Sequence, residues 1–363
     1  MLAAFGETAR FPFVAFPDRV ESVDAADWLG HPGNWTAGFW PGMLWLAWRW
    51  TGETRYAERA HQACGLLRAR LDWKRHDLGF LFYPSCAAGA RLTGDPRLTE
   101  TALTAAENML RLWDPAVGMV PIGPVPGEVQ VAVDTLAALE LLTWASEETG
   151  DPRFEHVALQ HFRRSMDLLV RPDGSTFHAA RLESGSGRLL WRGTWQGFRD
   201  DSCWSRGQAW AMYGASLLLG KAGLEFPAAA DRLFDFWERH TGEDILPPWD
   251  FHPDATPVAD SSAAAVAAAA LVRHRDPRRR LQGKQLLELL ATVALTGDSS
   301  AEAGLLRHGC SHFPRAQGVD CCTIWGDFYF MAAVDAITER EEAEAAAGPS
   351  RRLSDRSETS PTD

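Results

Sequence analysis

Thr51-Gly52-Glu53-Thr54-Arg55-Tyr56 recurs as Thr93-Gly94-Asp95-Pro96-Arg97-Leu98 and again as Thr149-Gly150-Asp151-Pro152-Arg153-Phe154. Each copy follows an apolar helical stretch and precedes another. The physics is a helix stop followed at once by a helix start. Gly takes the left-handed cap, Asp or Glu supplies an acceptor for the first N–H groups, and Pro fits the first turn. Weaker counterparts are segment 220–227 and Arg275-Asp276-Pro277. A spacing of roughly 40 to 70 residues suits a pair of helices plus a variable loop. Inner helices are expected to begin near Thr36, Asp77, Val131, Ser202, Asp260 and Cys321, and their partners near Glu53, Asp95, Asp151, Phe226 and Pro277. An N-terminal segment would help close the ring. Alternating strand patterns are few, so the expected fold is all-α, an (α/α)6 barrel; an open helical solenoid is the alternative.

Composition sets the bounds. The chain has 363 residues, 46% hydrophobic and 23% charged, which is ordinary for a globular protein with a sizeable core. One catalytic domain is expected over 1–338, followed by a charged, Ser-rich tail over 339–363 that extends the last helix and then disorders. No run of about 18 apolar residues exists, which speaks against a membrane span. The first residues lack the basic start and apolar block of a secretory signal. Six scattered cysteines read as reduced thiols, and hence as a cytoplasmic protein. A net charge of −12 speaks against a nucleic-acid partner, while leaving room for a locally positive pocket that takes an acidic substrate. Sixteen tryptophans are the anomaly. They serve either as core packing or as flat walls for sugar rings.

In a ring of hairpins the starts of the inner helices point to one end, where their polar residues converge. Three such segments stand out: Arg75-His76-Asp77-Leu78-Gly79-Phe80, Val133-Asp134-Thr135-Leu136, and the run from Trp195 to Trp210. The last places Gln196, two acids, Trp204, Arg206 and Gln208 within about four helical turns. Asp77 and Asp134 read alone are helix N-terminal acids, and Asp200, Asp201 and Asp260 read as caps. Arg206 could be a structural ion-pair partner, and His178 a satisfied structural histidine.

In order along the chain stand Trp35-Thr36-Ala37-Gly38-Phe39-Trp40-Pro41-Gly42, His76-Asp77-Leu78-Gly79-Phe80, Asp134-Thr135-Leu136, Asp201-Ser202-Cys203-Trp204-Ser205-Arg206-Gly207-Gln208-Ala209-Trp210 and Trp325-Gly326-Asp327-Phe328-Tyr329. This ordered set, spanning about residues 34 to 335, resembles glycoside hydrolase family 88, the unsaturated glucuronyl hydrolases. The resemblance implies release of a terminal 4,5-unsaturated uronic acid from oligosaccharides left by a polysaccharide lyase, such as glycosaminoglycan disaccharides. By that match Asp134 is the proton donor and then the base that activates water, and Asp77 the second carboxylate. Either burial or a neighbouring carboxylate is expected to raise the pKa of Asp134. Trp40 and Trp204 would wall the sugar. His76, His178, Gln196, Arg206 and Gln208 would complete the substrate-binding set, with Arg206 facing the uronate carboxylate. No cofactor or metal is implied. The chain departs from the family pattern at Trp195, where His is common, and at 119–124, which carries no Trp.

Alternatives remain at this stage. An unsaturated rhamnogalacturonyl hydrolase shares the chemistry, an inverting glycosidase would use the same two acids, and a toroid could bind sugar without turnover. His308, Cys310, His312, Cys321 and Cys322 include zinc ligand types but no Cys-x-x-Cys pair. The sequence does not yield the oligomeric state.

Overall fold

The repeated turns have the conformation their residues favour. The structure, a computed structural model, describes residues 9–25, 31, 33–218, 228–242, 245–297 and 303–346. Gly52, Gly94 and Gly150 are left-handed, with φ of 72°, 68° and 71°, and end helices Phe39–Thr51, Ala88–Thr93 and Glu140–Thr149. The partner helices Thr54–Leu67, Pro96–Leu110 and Pro152–Leu169 begin two residues later. Asp95 and Asp151 accept the backbone N–H of Arg97 and Arg153, each at 2.9 Å. Glu53, one methylene longer, makes no such bond. Asp276 caps Pro277–Val293 in the same way. Segment 220–227 and the helix start near Phe226 lie outside the described residues; Ala228–His240 is helical.

The inner segments are Phe39–Thr51, Leu78–Thr93 (with a π-turn at Tyr83–Ala87), Thr135–Thr149, Ser205–Leu218, Ser261–Val272 and Ile324–Ala346. Each packs on the next, and Ile324–Ala346 packs back on Phe39–Thr51. Backbones approach closely at two of these junctions. A Cβ on Gly38 would meet the Phe80 carbonyl oxygen at 2.2 Å, and one on Gly79 the Ala138 oxygen at 2.2 Å. Only glycine permits that contact, and it draws the helix starts together. Trp45, Trp144, Trp210 and Trp325 are fully buried, so much of the tryptophan excess is core. Ser261–Val272, including the alanine run, is buried on every face, as expected for a helix surrounded by others.

The strands correct the purely α-helical expectation. Among the described residues there are two four-stranded antiparallel sheets. The first comprises β1 (Arg10–Ala15), β2 (Val20–Asp24), β7 (Gly309–His312) and β8 (Gln317–Thr323), in the order β2-β1-β8-β7; the second comprises β3 (Pro124–Val125), β4 (Glu128–Ala132), β5 (Ala179–Glu183) and β6 (Leu189–Gly193), in the order β3-β4-β5-β6. The helix starts expected near Val131 and Cys321 fall on β4 and β8, and the helices begin at Thr135 and Ile324. These strands are short and some pair across most of the chain, as Val14 with Thr323, so periodicity alone did not reveal them. Residues 339–346 continue the last helix past the boundary expected at 338, while 347–363 lie outside the described residues.

Candidate active site

The second sheet builds the centre of the site. In the β4–β5 pair, Ala132 stands opposite Ala179, and the Val133 N–H donates to the His178 carbonyl at 2.9 Å. The ladder thereby sets His178 beside Asp134, with Nε2 3.3 Å from Oδ2. Nδ1 of His178 accepts the Trp195 backbone N–H at 3.2 Å and lies 3.3 Å from the Thr194 hydroxyl. A backbone N–H can only donate, so in the neutral ring the proton sits on Nε2 and points at Asp134. Thr194 Oγ1 accepts the N–H groups of Gln196 and Gly197, which leaves its hydroxyl proton free for His178. The Trp204 ring lies against the imidazole, with centroids 4.6 Å apart.

A second histidine–carboxylate pair lies alongside. Asp77 is buried, accepts Arg75 Nε at 2.9 Å, and lies 3.3 Å from His76 Nε2. His76 Nδ1 is 2.9 Å from the Thr135 hydroxyl, the residue directly after Asp134. Burial holds the His76 pKa below its ordinary value, opposed by the charges of Asp77 and Asp134. His76 therefore lies within electrostatic reach of both carboxylates.

The raised pKa expected for Asp134 is not found in the free protein. Burial pushes it up, but the hydrogen bond from His178 and the electrostatic pull of the two histidine rings outweigh burial and hold it below the ordinary aspartate value. The two histidines, and not a carboxylate neighbour, dominate its environment.

The remaining expected residues divide. Trp40 is buried in the first turn of its helix, and Gln196 is partly exposed beside the His178 loop. Arg206 is fully buried, and its two Nη atoms are spent within the protein. They reach Asp260 at 2.7 Å, Ser262, the carbonyls of Cys310 and Ser311, and Gln196 Oε1 at 3.1 Å. Its Nε has no partner, and its guanidinium stacks 4.5 Å over Trp204. The ion-pair alternative thus describes it, and its fork is not open to a substrate carboxylate. Gln208 is buried and spent within the protein: its amide donates to the Gly174 and Leu233 carbonyls at 2.9 and 3.0 Å.

Asp260 does cap its helix. Asp200 and Asp201 do not. Asp200 accepts from Thr194 N–H and Trp191 Nε1, and Asp201 pairs with Arg199. Thr194, Thr135 and Asp250 were missed. Asp250 is buried and accepts from Phe198 N–H, the Ser202 hydroxyl and His252 N–H, which shapes the loop before Trp204. No sequence signal marks it beyond its place in the loop 249–252. His312, weighed above as a zinc ligand, lies near the site. Burial lowers its pKa to about 4, helped by the charges of Arg315, Arg206 and His178.

Among the described residues no three His, Cys, Asp or Glu side chains gather as a metal site would require, and no helix is long and apolar enough to cross a membrane.

No family model matches the chain. It is 34% identical over 356 residues to the unsaturated glucuronyl hydrolase of Bacillus sp. (strain GL1), covering 91% of this chain and 94% of that one. It is 30% identical to the unsaturated chondroitin disaccharide hydrolase of Streptococcus agalactiae serotype III (strain NEM316), covering 83% and 80%. Among solved structures, an unsaturated glucuronyl hydrolase specific for heparin superposes with a TM-score of 0.85 at 27% identity, covering 94% of each chain. The Bacillus sp. GL1 enzyme superposes with a TM-score of 0.81 at 33% identity, covering 92% of this chain and 91% of that one.

Proposed function

The chain belongs to the unsaturated glucuronyl hydrolases, and from that premise we infer how its residues release a terminal 4,5-unsaturated uronic acid from lyase-generated oligosaccharides. It is a glycoside hydrolase, and its curated relatives act on unsaturated glucuronyl and chondroitin disaccharide substrates, as their names state. The observation that carries the residue assignment is the carboxylate of Asp134, which makes no helix-capping bond and receives the Nε2 proton of His178.

The C4=C5 bond beside the ring oxygen is a vinyl ether. Asp134 protonates C4, and the positive charge left at C5 is shared with the ring oxygen. Water adds to C5 as the Asp134 carboxylate takes a proton from it. The resulting hemiketal opens, and C1 releases the leaving sugar with its hydroxyl restored. Asp134 must therefore be protonated when substrate is bound, although the free protein holds its pKa low. The substrate supplies the change: it brings a carboxylate of like charge into the site and displaces water, and both favour the neutral acid. Asp77, with its own histidine and Arg75, is the second carboxylate. Trp40 and Trp204 are assigned to the sugar faces, Gln196 to its hydroxyls, and Arg206 to holding Trp204 and Gln196 in place.

The ring of helix pairs is read as an (α/α)6 barrel forming one catalytic domain over 1–338. The six buried, unbridged cysteines support a reducing, cytoplasmic setting.

The test is the ultraviolet absorbance of the conjugated enoate, followed with a panel of lyase-generated oligosaccharides from hyaluronan, chondroitin, heparin and gellan. Loss of absorbance with release of the leaving sugar is the expected result. Cleavage of saturated glycosides with the enoate left intact would overturn the reading.

A further inference from the structure

The unsaturated uronic acid carries a carboxylate on C5, next to the carbon that Asp134 protonates. Seating it beside Asp77 and Asp134 gathers three carboxyl groups, which is costly unless a cation bonds to the newcomer. Arg206 does not serve: its Nη atoms end on Asp260, Ser262, Gln196 and the carbonyls of Cys310 and Ser311.

Arg75 is placed differently. Its N–H donates to the Trp73 carbonyl at 3.0 Å, and its own carbonyl accepts the Leu78 N–H at 3.3 Å, so a tight turn sets it at the helix start. Nε donates to Asp77 Oδ2 at 2.9 Å; the Arg75 side chain is 42% exposed and that of Asp77 only 9%. The guanidinium therefore reaches from the buried acid out to solvent. Among the described residues neither Nη group has an acceptor. Cζ lies 5.5 Å from the Trp73 ring centroid, a contact that steadies the fork. Gly123 borders its far edge, where a Cβ would lie 3.5 Å from Nη1; with glycine there, no side chain of residue 123 covers the fork. The charge of Arg75 is felt at His76 together with those of Asp77, Asp134 and His178, so the open edge belongs to the catalytic cluster. Two parallel Nη donors match the two oxygens of a carboxylate.

We propose that Arg75 receives the C5 carboxylate of the unsaturated uronic acid on its two Nη groups while Nε stays on Asp77, so that one guanidinium bridges the substrate and the second acid. This rests on the hydrolase reading above.

The test measures KM and kcat of the wild type, Arg75→Gln and Arg75→Lys on unsaturated chondroitin disaccharide, on its 6-sulfated form, and on the unsulfated disaccharide with the C5 carboxylate converted to the carboxamide. Arg75→Gln should raise KM on both acids by about ten- to a hundredfold, the scale of a charge-assisted pair of hydrogen bonds. Arg75→Lys, which keeps the charge without the fork, should recover part of that loss. The wild type should show a similar loss on the carboxamide, and Arg75→Gln should handle acid and carboxamide nearly alike, since the contact is already gone. A fall in kcat with KM unchanged would reduce Arg75 to a support for Asp77 and overturn the assignment. A loss confined to the sulfated substrate would give the Nη groups to the sulfate and overturn it too. Equal KM of the wild type for acid and carboxamide overturns it even if neither variant folds. Absence of turnover across the whole panel would overturn the hydrolase reading; turnover with KM indifferent to Arg75 overturns this assignment alone.

Discussion

Aspartates precede both the outer and the inner helices, yet they are used in opposite ways. Asp95, Asp151 and Asp276, at the outer starts, have extended backbones with ψ of 113°, 113° and 122°, and their side chains fold over to accept the second N–H. Asp77 and Asp134, at the inner starts, already have helical backbones (ψ −14° and −33°) and make no side-chain cap. A residue in helical conformation points its carboxylate away from the helix end, so the oxygens stay available for partners across the site. Asp260 is the instructive exception: an inner start with a non-helical backbone, whose carboxylate caps and also binds Arg206. Backbone conformation thus separates aspartates whose carboxylates cap a helix from those whose carboxylates stay free of capping.

Four experiments bear on that contrast. The largest effect is expected for Asp134→Asn, which should lower kcat roughly a thousandfold, within the range for removing a general acid–base, while the protein still folds. Full turnover by that variant would erase the distinction. Asp260→Ala strands the Arg206 guanidinium in the core and should cost about 3–5 kcal/mol in denaturant unfolding.

A third test uses Asp327, an inner-helix acid that accepts the Leu305 and Leu306 N–H groups, each at 2.9 Å. Burial raises its pKa to about 7, against the opposing pull of those two bonds. A carboxyl raised in the folded state binds more protons folded than unfolded between the two pKa values, so stability falls as pH rises through that window. From pH 6 to pH 8 the loss should be about 1.4 kcal/mol, close to one unit of titration. Asp327→Asn should flatten this part of the thermal-melting profile. The smallest effect belongs to Asp276→Ala, which should cost about 1 kcal/mol of stability and leave the turnover rate unaltered.

The helix pairs were legible because stop and start signals lie within a few residues of one another. The Gly-Asp-Pro turns needed no tertiary information, and the inner starts expected near Thr36, Asp77, Ser202 and Asp260 fall within three residues of the observed ones. The sheets were not legible: β4 offers only five residues of alternation, and β1 finds β8 some three hundred residues away. That loss carried into the site. Asp77 and Asp134 could be singled out as candidates from local text, but the register that brings His178 to Asp134 and the loop that sets its tautomer belong to the second sheet. Arg206 and Gln208 were misjudged for a related reason. Their partners, Asp260 and the carbonyls of Gly174 and Leu233, are distant in sequence, and polar residues in a helix start look the same whether they face a ligand or the core.

The return of Ile324–Ala346 to Phe39–Thr51, with β8 beside β1, has a consequence for synthesis. A ribosome adding about 5–20 residues per second needs roughly 15–55 s to pass from the end of one helix to the start of the other. For that interval the nascent chain carries one flank of its first inner helix uncovered and one edge of β1 without its neighbour. Exposed apolar surface and open strand edges of this kind attract chaperones or other nascent chains. A message truncated before codon 324 would therefore yield a chain that no amount of waiting can close, and its cost to the cell is borne by quality control before any sugar is met.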